Sequence, residues 1–381
     1  MMLLQRRFKI LQTFLLISFV ASIDVGFQRV SSPRAHAAPE ILLSQPLTVR
    51  WRYETEVTLN LTPAFDNERI YLPLAGGLIV ALKARDGQLL WRSEMGGELS
   101  ASPVADDSMI YVASETLGPM KGHVGGALRA LGREGGVTQW MTPLVSPLRG
   151  SLAVSGWKLF AGGIDGRAYA FDKRTGGVLW SIPVGSALNG HPVSAGDRVY
   201  FGSEDGTLLA LEESTGKLLW RYRTQGAIRG PVAVSNQTIF FGSGDGYVYA
   251  VRADKGRLIW RKRTGAGVDA VTLTSQGLLA ASLDNFAYFL NTDGKMIWKR
   301  LLPGRIPSKP LTVHEDALFT PLSSSAAVVL ALRDGKQVNA LPTGEELTSS
   351  AAPIIVGDAV LLTTEHSLLA FAPPAISGGN R

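Results

Sequence analysis

The side chains able to do chemistry in this chain are few, and they recur at a fixed distance. Asp165, Asp205 and Asp245 stand 40 residues apart, each followed by Gly. Carboxylates that converge in one cleft hold a divalent cation or act as a general base. Asp before Gly is also the composition of a tight turn, because Asp bonds its own backbone and Gly accepts positive φ without steric cost. Tryptophans followed by basic residues, as in Trp220-Arg-Tyr-Arg223, Trp260-Arg-Lys-Arg263 and Trp298-Lys-Arg300, have the composition of a stacking surface for bases. His123, His191, His314 and His366 have no short-range pairing and are expected on the surface or in loops. Thr215-Gly216-Lys217 lacks the upstream Gly of a phosphate loop, and Gly242-Ser-Gly-Asp-Gly246 ends a run of strand formers, so both read as turns. No Gly-x-Ser-x-Gly elbow occurs. The absence of Cys removes thiol nucleophiles, disulfides, thiolate metal sites and a lipid-modified N-terminal Cys.

The elements that carry these residues repeat. The stretch Asp205-Gly-Thr-Leu-Leu-Ala-Leu-Glu-Glu-Ser-Thr-Gly-Lys-Leu-Leu-Trp220 reads as turn, strand, turn, strand, and it recurs from Asp165 to Trp180 and from Asp245 to Trp260. The anchoring residues are Trp51, Trp91, Trp140, Trp180, Trp220, Trp260 and Trp298, at steps of 40, 49, 40, 40, 40 and 38. A further unit, Asp334-Gly-Lys-Gln-Val-Asn339, keeps the turn but has Asn339 where Trp belongs. A period near 40 in strands, without a helical pattern, means propeller blades rather than a helical solenoid.

Leu47 to Glu56, around Trp51, matches only the last strand of a unit. Ser350 to Val356, Ala359 to Thr364 and Ser367 to Ala372 match the first three strands and stop at Pro373-Pro374. The expected fold is therefore all-β: an eight-bladed β-propeller of four-stranded antiparallel blades, closed by the N-terminal strand completing the last blade. Its blades occupy 47–374, preceded by a short tether at 38–46 and followed by a flexible tail at 375–381. The second blade is nine residues longer than the common step, with its excess at about 115–124, a candidate lid or contact loop.

Residues 1–37 read as a secretory signal. Arg6, Arg7 and Lys9 precede an apolar run, Ile10 to Ile23, too short for the roughly 20 residues of a bilayer span, and Ala35-His36-Ala37 suits cleavage before Ala38. A cut after Ser22 is the alternative. Removing the leader's net +4 from the formal +6 leaves +2, too balanced a charge to argue for nucleic acid or an anionic membrane surface.

Strand alternation decides the role of the tryptophans. The residue after each Trp points to the opposite face, so the ring can be buried while Arg221 and Arg261 meet water. Burying roughly 150–250 Å² of ring at about 25 cal/mol per Å² is worth on the order of 4–6 kcal/mol. The cations also suit an exposed edge strand, where charge discourages pairing with another sheet.

The pattern of Asp-Gly, then Leu-x-Ala-Leu, then Thr-Gly-Lys-x-x-Trp resembles the pyrroloquinoline-quinone (PQQ) enzyme repeat, from Trp51 to about Phe371. The resemblance implies that the Trp of one blade docks on its neighbour. One branch, the quinone-dependent dehydrogenases, holds its cofactor with Ca²⁺ in the central channel beside a catalytic Asp, often near a vicinal disulfide. This chain has no Cys and no matching ligand motif, so neither catalysis nor a cofactor is expected. The chain is closer to the small eight-bladed periplasmic subunit of the outer-membrane β-barrel assembly machinery, normally a lipoprotein. That resemblance implies a periplasmic interaction scaffold, monomeric within a complex, that binds the periplasmic domains of the barrel-forming subunit. With no Cys to lipidate, it would be soluble in the periplasm or held at the outer membrane only through partners.

Pro147-Leu-Arg-Gly-Ser151 is similar to the family's partner-gripping loop, which would make Leu148 an apolar anchor and Arg149 a charge-assisted donor. The family's next inter-blade loop carries two partner-binding Asp residues. Here those positions are Ala187 and Asn189, so one carboxylate is lost and the other is an amide. Ile228-Arg-Gly230 occupies the same place two blades on, and Arg-Gly then reads as a habit of the repeat. A propeller binding PQQ or another small ligand in its channel is the alternative function.

Overall fold

The computed structural model describes residues 41–117, 124–235 and 237–374. The expected signal at 1–37, the tail at 375–381 and His123 lie outside them. Every regular element among the described residues is a strand, and the strands form eight four-stranded antiparallel sheets. The fourth blade shows the plan, with Val193–Ala195 innermost, then Arg198–Gly202, Thr207–Glu212 and Leu218–Arg223 outermost. In the eighth blade Thr48–Glu54 pairs with Ser367–Ala372, so the first strand of the chain completes the last sheet and closes the ring.

Local chemistry sets each hairpin. In the fourth blade Gly206 takes φ +84°, while Asp205 Oδ1 accepts the Thr207 amide at 3.2 Å. The next turn ends at Gly216, φ +73°. Beyond it the ladder slips: Ala210 faces Trp220 but Leu211 faces Leu218, which leaves Leu219 as a bulge. Leu218 and Leu219 are therefore both exposed, Trp220 is buried and Arg221 is exposed.

Trp joins the blades. The Trp220 indole donates to the Ala253 carbonyl at 2.7 Å, and its six-membered ring lies against Gly256, where an added Cβ would sit 2.5 Å away. Trp51, Trp91, Trp140, Trp180, Trp260 and Trp298 each donate in the same way to a carbonyl of the following blade. The turn glycine thus answers two demands, a positive φ and close approach of the neighbour's ring. Apolar side chains from adjacent blades complete each seam, as Phe160 and Trp180 do with Val199 and Leu211.

Two expectations about the ends of repeats need correction. The tether expected at 38–46 is described from residue 41, and there Ile41 and Leu43 are buried with Leu318, Leu341 and Phe371 between the seventh and eighth blades. This seam has no Trp, because the turn that would receive one is replaced by the break between the two ends of the chain. Asn339 instead donates to the Leu43 and Gln45 carbonyls at 2.8 and 2.7 Å, binding the incoming segment. The extra residues of the second blade are also more ordered than a loop. Met109–Leu117 and Val124–Gly132 pair down to Leu117 opposite Val124, a longer hairpin whose tip, 118–123, lies outside the described residues.

Candidate functional site

One rim of the propeller gathers the chain's loop chemistry. From the second blade to the eighth, the connection entering the blade hydrogen-bonds there to the hairpin between second and third strands. Glu204 N donates to Ala187 O at 2.9 Å, and Gly244 N to Ala227 O at 2.8 Å. The segments holding Arg149 and Asn189 lie side by side, since a Cβ on Gly150 would fall 2.7 Å from the Asn189 carbonyl.

Leu148 is not the surface anchor expected. It is 0% exposed, inside a cluster with Tyr111, Leu128 and Leu159. Leu188, Ile228, Val268 and Ile306 hold the same repeat position and are equally buried, so the position closes the core of each blade and has no side chain to offer a partner. Arg149, one residue on, is reachable: its side chain is 39% exposed and forms an ion pair with Glu115 of the long second-blade hairpin. Arg229, at the same repeat position, grips Glu204 through two bonds of 2.9 and 2.7 Å. Arg229 holds the Glu204 carboxyl below the ordinary range, with help from Asn189. Asn189 is half-buried, and its Oδ1 has no donor among the described residues. Asp269 follows on the ring, where burial outweighs Arg229 and pushes its carboxyl up, as Glu204 also does.

The repeated aspartates do not converge. Asp165 and Asp245 each accept a Tyr hydroxyl of the same hairpin at 2.7 Å, from Tyr169 and Tyr249, and Asp205 accepts Ser203 at 2.6 Å. No group of three or more His, Cys, Asp or Glu able to hold a metal occurs among the described residues. The seven anchoring tryptophans offer no stacking face either, since their indole N–H groups and rings are committed to the neighbouring blade, while Arg261 lies over Tyr247 at 4.8 Å.

The central channel is a cavity of about 370 Å³ reached by every blade, with Thr62, Ser102, Ser151, His191 and Lys309 among its lining residues. His191 is thus neither on the outer surface nor in an outer loop. Burial, with Lys309 nearby, holds its imidazolium below the ordinary value. Lys309, whose ammonium burial also pushes down, and Asp269 escaped sequence reasoning. A signal was present: Thr62-Pro63, Ser102-Pro103, His191-Pro192 and Lys309-Pro310 occupy one repeat position, just before the innermost strand, and that position faces the channel.

Comparison with known proteins places this geometry. The sequence profile of the family described as outer membrane protein assembly factor BamB matches residues 45–123, 124–229 and 213–378. The outer membrane protein assembly factor BamB of Shewanella oneidensis is 31% identical over 104 residues, a stretch covering 26% of this chain and 24%, or about a quarter, of that relative. The crystal structure of BamB from Moraxella catarrhalis superposes with a TM-score of 0.72 at 15% identity, covering 87% of this chain and 99% of that one. Quinohemoprotein alcohol dehydrogenase ADHIIG from Pseudomonas putida HK5 superposes with a TM-score of 0.71 at 12% identity, covering 86% and 76%. At such identities the structural likeness is one of fold, and it extends to enzymes. The profile covers nearly the whole ring, and on that ground the chain belongs to the outer membrane protein assembly factor BamB family.

Proposed function

We propose that this protein is a non-catalytic scaffold of the periplasm that assists assembly of outer-membrane β-barrels by binding the barrel-forming subunit. The observation that carries the reading is the family profile spanning residues 45–378. The stiffness of the ring supports it, since interlocked Trp seams present the inter-blade loops in fixed positions. Binding is assigned to the rim with Arg149 and Asn189. Arg149 would exchange its Glu115 partner for a carboxylate of the other protein, and Asn189, half-buried on the adjoining segment, would pack against the same partner. The trade of one ion pair for another costs little at an exposed site, which suits a reversible contact. Attachment to the outer membrane would come through that partner.

The test is a pulldown from native envelope with the full chain, comparing wild type with Arg149→Glu. Recovery of the barrel-forming subunit by wild type, several-fold reduced in the variant, supports function and rim together. Equal recovery by both keeps the function and moves the contact elsewhere. Recovery by neither, with the fold intact by circular dichroism, overturns the assembly reading.

A further inference from the structure

The central channel carries positive charge that forms no ion pair among the described residues. Lys309 lines it from the seventh blade and His191 from the fourth. Neither side chain forms an ion pair or hydrogen bond among the described residues, and the charge felt by His191 is that of Lys309 itself. The carboxylate that also lines the channel, Asp269, has Arg229 and Glu204 as its charged neighbours, not Lys309 or His191. Lys309 is exposed to the space of the channel, and the protein walls around that space still hold its ammonium below the ordinary value.

Two hydroxyls of the wall add donors to these cations. Thr62 Oγ1 accepts the Ala352 amide at 3.0 Å, and Ser102 Oγ accepts the Thr62 amide at 3.2 Å. A hydroxyl that already accepts has its hydrogen left to give. The wall therefore presents donors: an ammonium, an imidazole and two hydroxyls. A cation would find no set of ligands there among the described residues. At about 370 Å³ the cavity falls within the range of small-molecule sites, roughly 300–1,000 Å³. An ammonium with no partner, facing a space walled by protein, gains a charge-assisted hydrogen bond from an anion of matching geometry.

We propose that the central channel is a binding site for a small oxyanion, a carboxylate or phosphate group, held by Lys309 and His191 with the hydroxyls of Thr62 and Ser102 donating to the same oxygens. This goes beyond the assembly function, and either can fail without the other.

The experiment is isothermal titration of the full purified chain with citrate and, separately, with inorganic phosphate, at constant ionic strength and neutral pH. One saturable site per chain is expected with at least one of them, and which one binds distinguishes a carboxylate from a phosphate ligand. Lys309→Met should weaken that binding at least ten-fold, while Lys299→Met, on the exposed outermost strand of the sixth blade, should leave it unchanged. Loss of the fold is separable: without anion, Lys309→Met should melt no lower than wild type, because it removes an unpartnered charge. The proposal is overturned if neither anion gives a saturable heat, or if Lys309→Met binds as tightly as wild type.

Discussion

Trp220 and Asn339 show how one residue type can be chosen by what waits on the next blade. Trp220 fills a seam and donates to Ala253, so Trp220→Ala should cost about 3–5 kcal/mol, the usual range for deleting a buried aromatic, measured by urea denaturation. Asn339 meets the incoming chain instead. Asn339→Ala leaves two carbonyls without their donor and should cost about 1–3 kcal/mol by the same measurement. His191 adds a dependence on pH. Its folded pKa lies below the ordinary 6.5, so between the two values the unfolded chain binds a proton that the folded ring does not. Stability from this group is full above about pH 6.5 and declines as pH falls below it. Asp269, the channel's other shifted acid, is raised and acts with the opposite sign, so the comparison must be made between variants. The stability lost from pH 7.5 to 5.5 should be smaller in His191→Gln than in wild type.

At the scale of elements, the outermost strands are the vulnerable parts. Leu218–Arg223 and Leu258–Arg263 present paired exposed apolar residues, Leu218 with Leu219 and Leu258 with Ile259, and an unpaired backbone edge. Arg221, Arg223, Arg261 and Arg263 alternate along the same edges, and charge there opposes sheet-to-sheet association. Replacing these four arginines with Thr should leave the fold intact, yet shift the protein toward dimers and larger species in size-exclusion chromatography. The first strand is vulnerable in another way. Thr48–Glu54 covers Ser367–Ala372, a strand buried along its whole length. A chain lacking residues 41–54 should open that edge and aggregate, whereas loss of an outer loop would not.

For the whole molecule, closure makes stability a property of the ring, because each blade is held by its neighbours. Ion pairs between blades add to the Trp seams: Arg133 reaches Asp66 at 2.7 Å and Lys173 reaches Asp106 at 2.7 Å. Both carboxyls are held below the ordinary 3.8: burial alone would raise them, but Tyr71 and Arg133 around Asp66, and Lys173 and Ser108 around Asp106, outweigh it. A depressed folded value stabilises above about pH 3.8 and loses that contribution as pH falls through the folded value. Acid unfolding should therefore set in below about pH 4, and Asp106→Asn should reduce its steepness in a circular-dichroism titration.

The sequence by itself determined the repeat, the blade number and the closure of the ring, because turn glycines and strand alternation are local chemistry written eight times with one unit split, and seven of the eight units carry the Trp. It also allowed the reading of Arg261 as outward and its neighbouring Trp260 as docked, since a period of two fixes which face each takes. What a residue meets across a seam or channel is not local. Leu148 read as a loop anchor because its neighbours resemble one, and only the folded ring shows that all its repeat equivalents point into the core. Residues 38–46 read as a tether because so short a stretch, with Pro39 and Pro46 near its ends, shows no strand periodicity, yet a seam without Trp takes in Ile41 and Leu43. His191, Asp269 and Lys309 lie far apart in the chain and become neighbours of one cavity only when eight blades close around it.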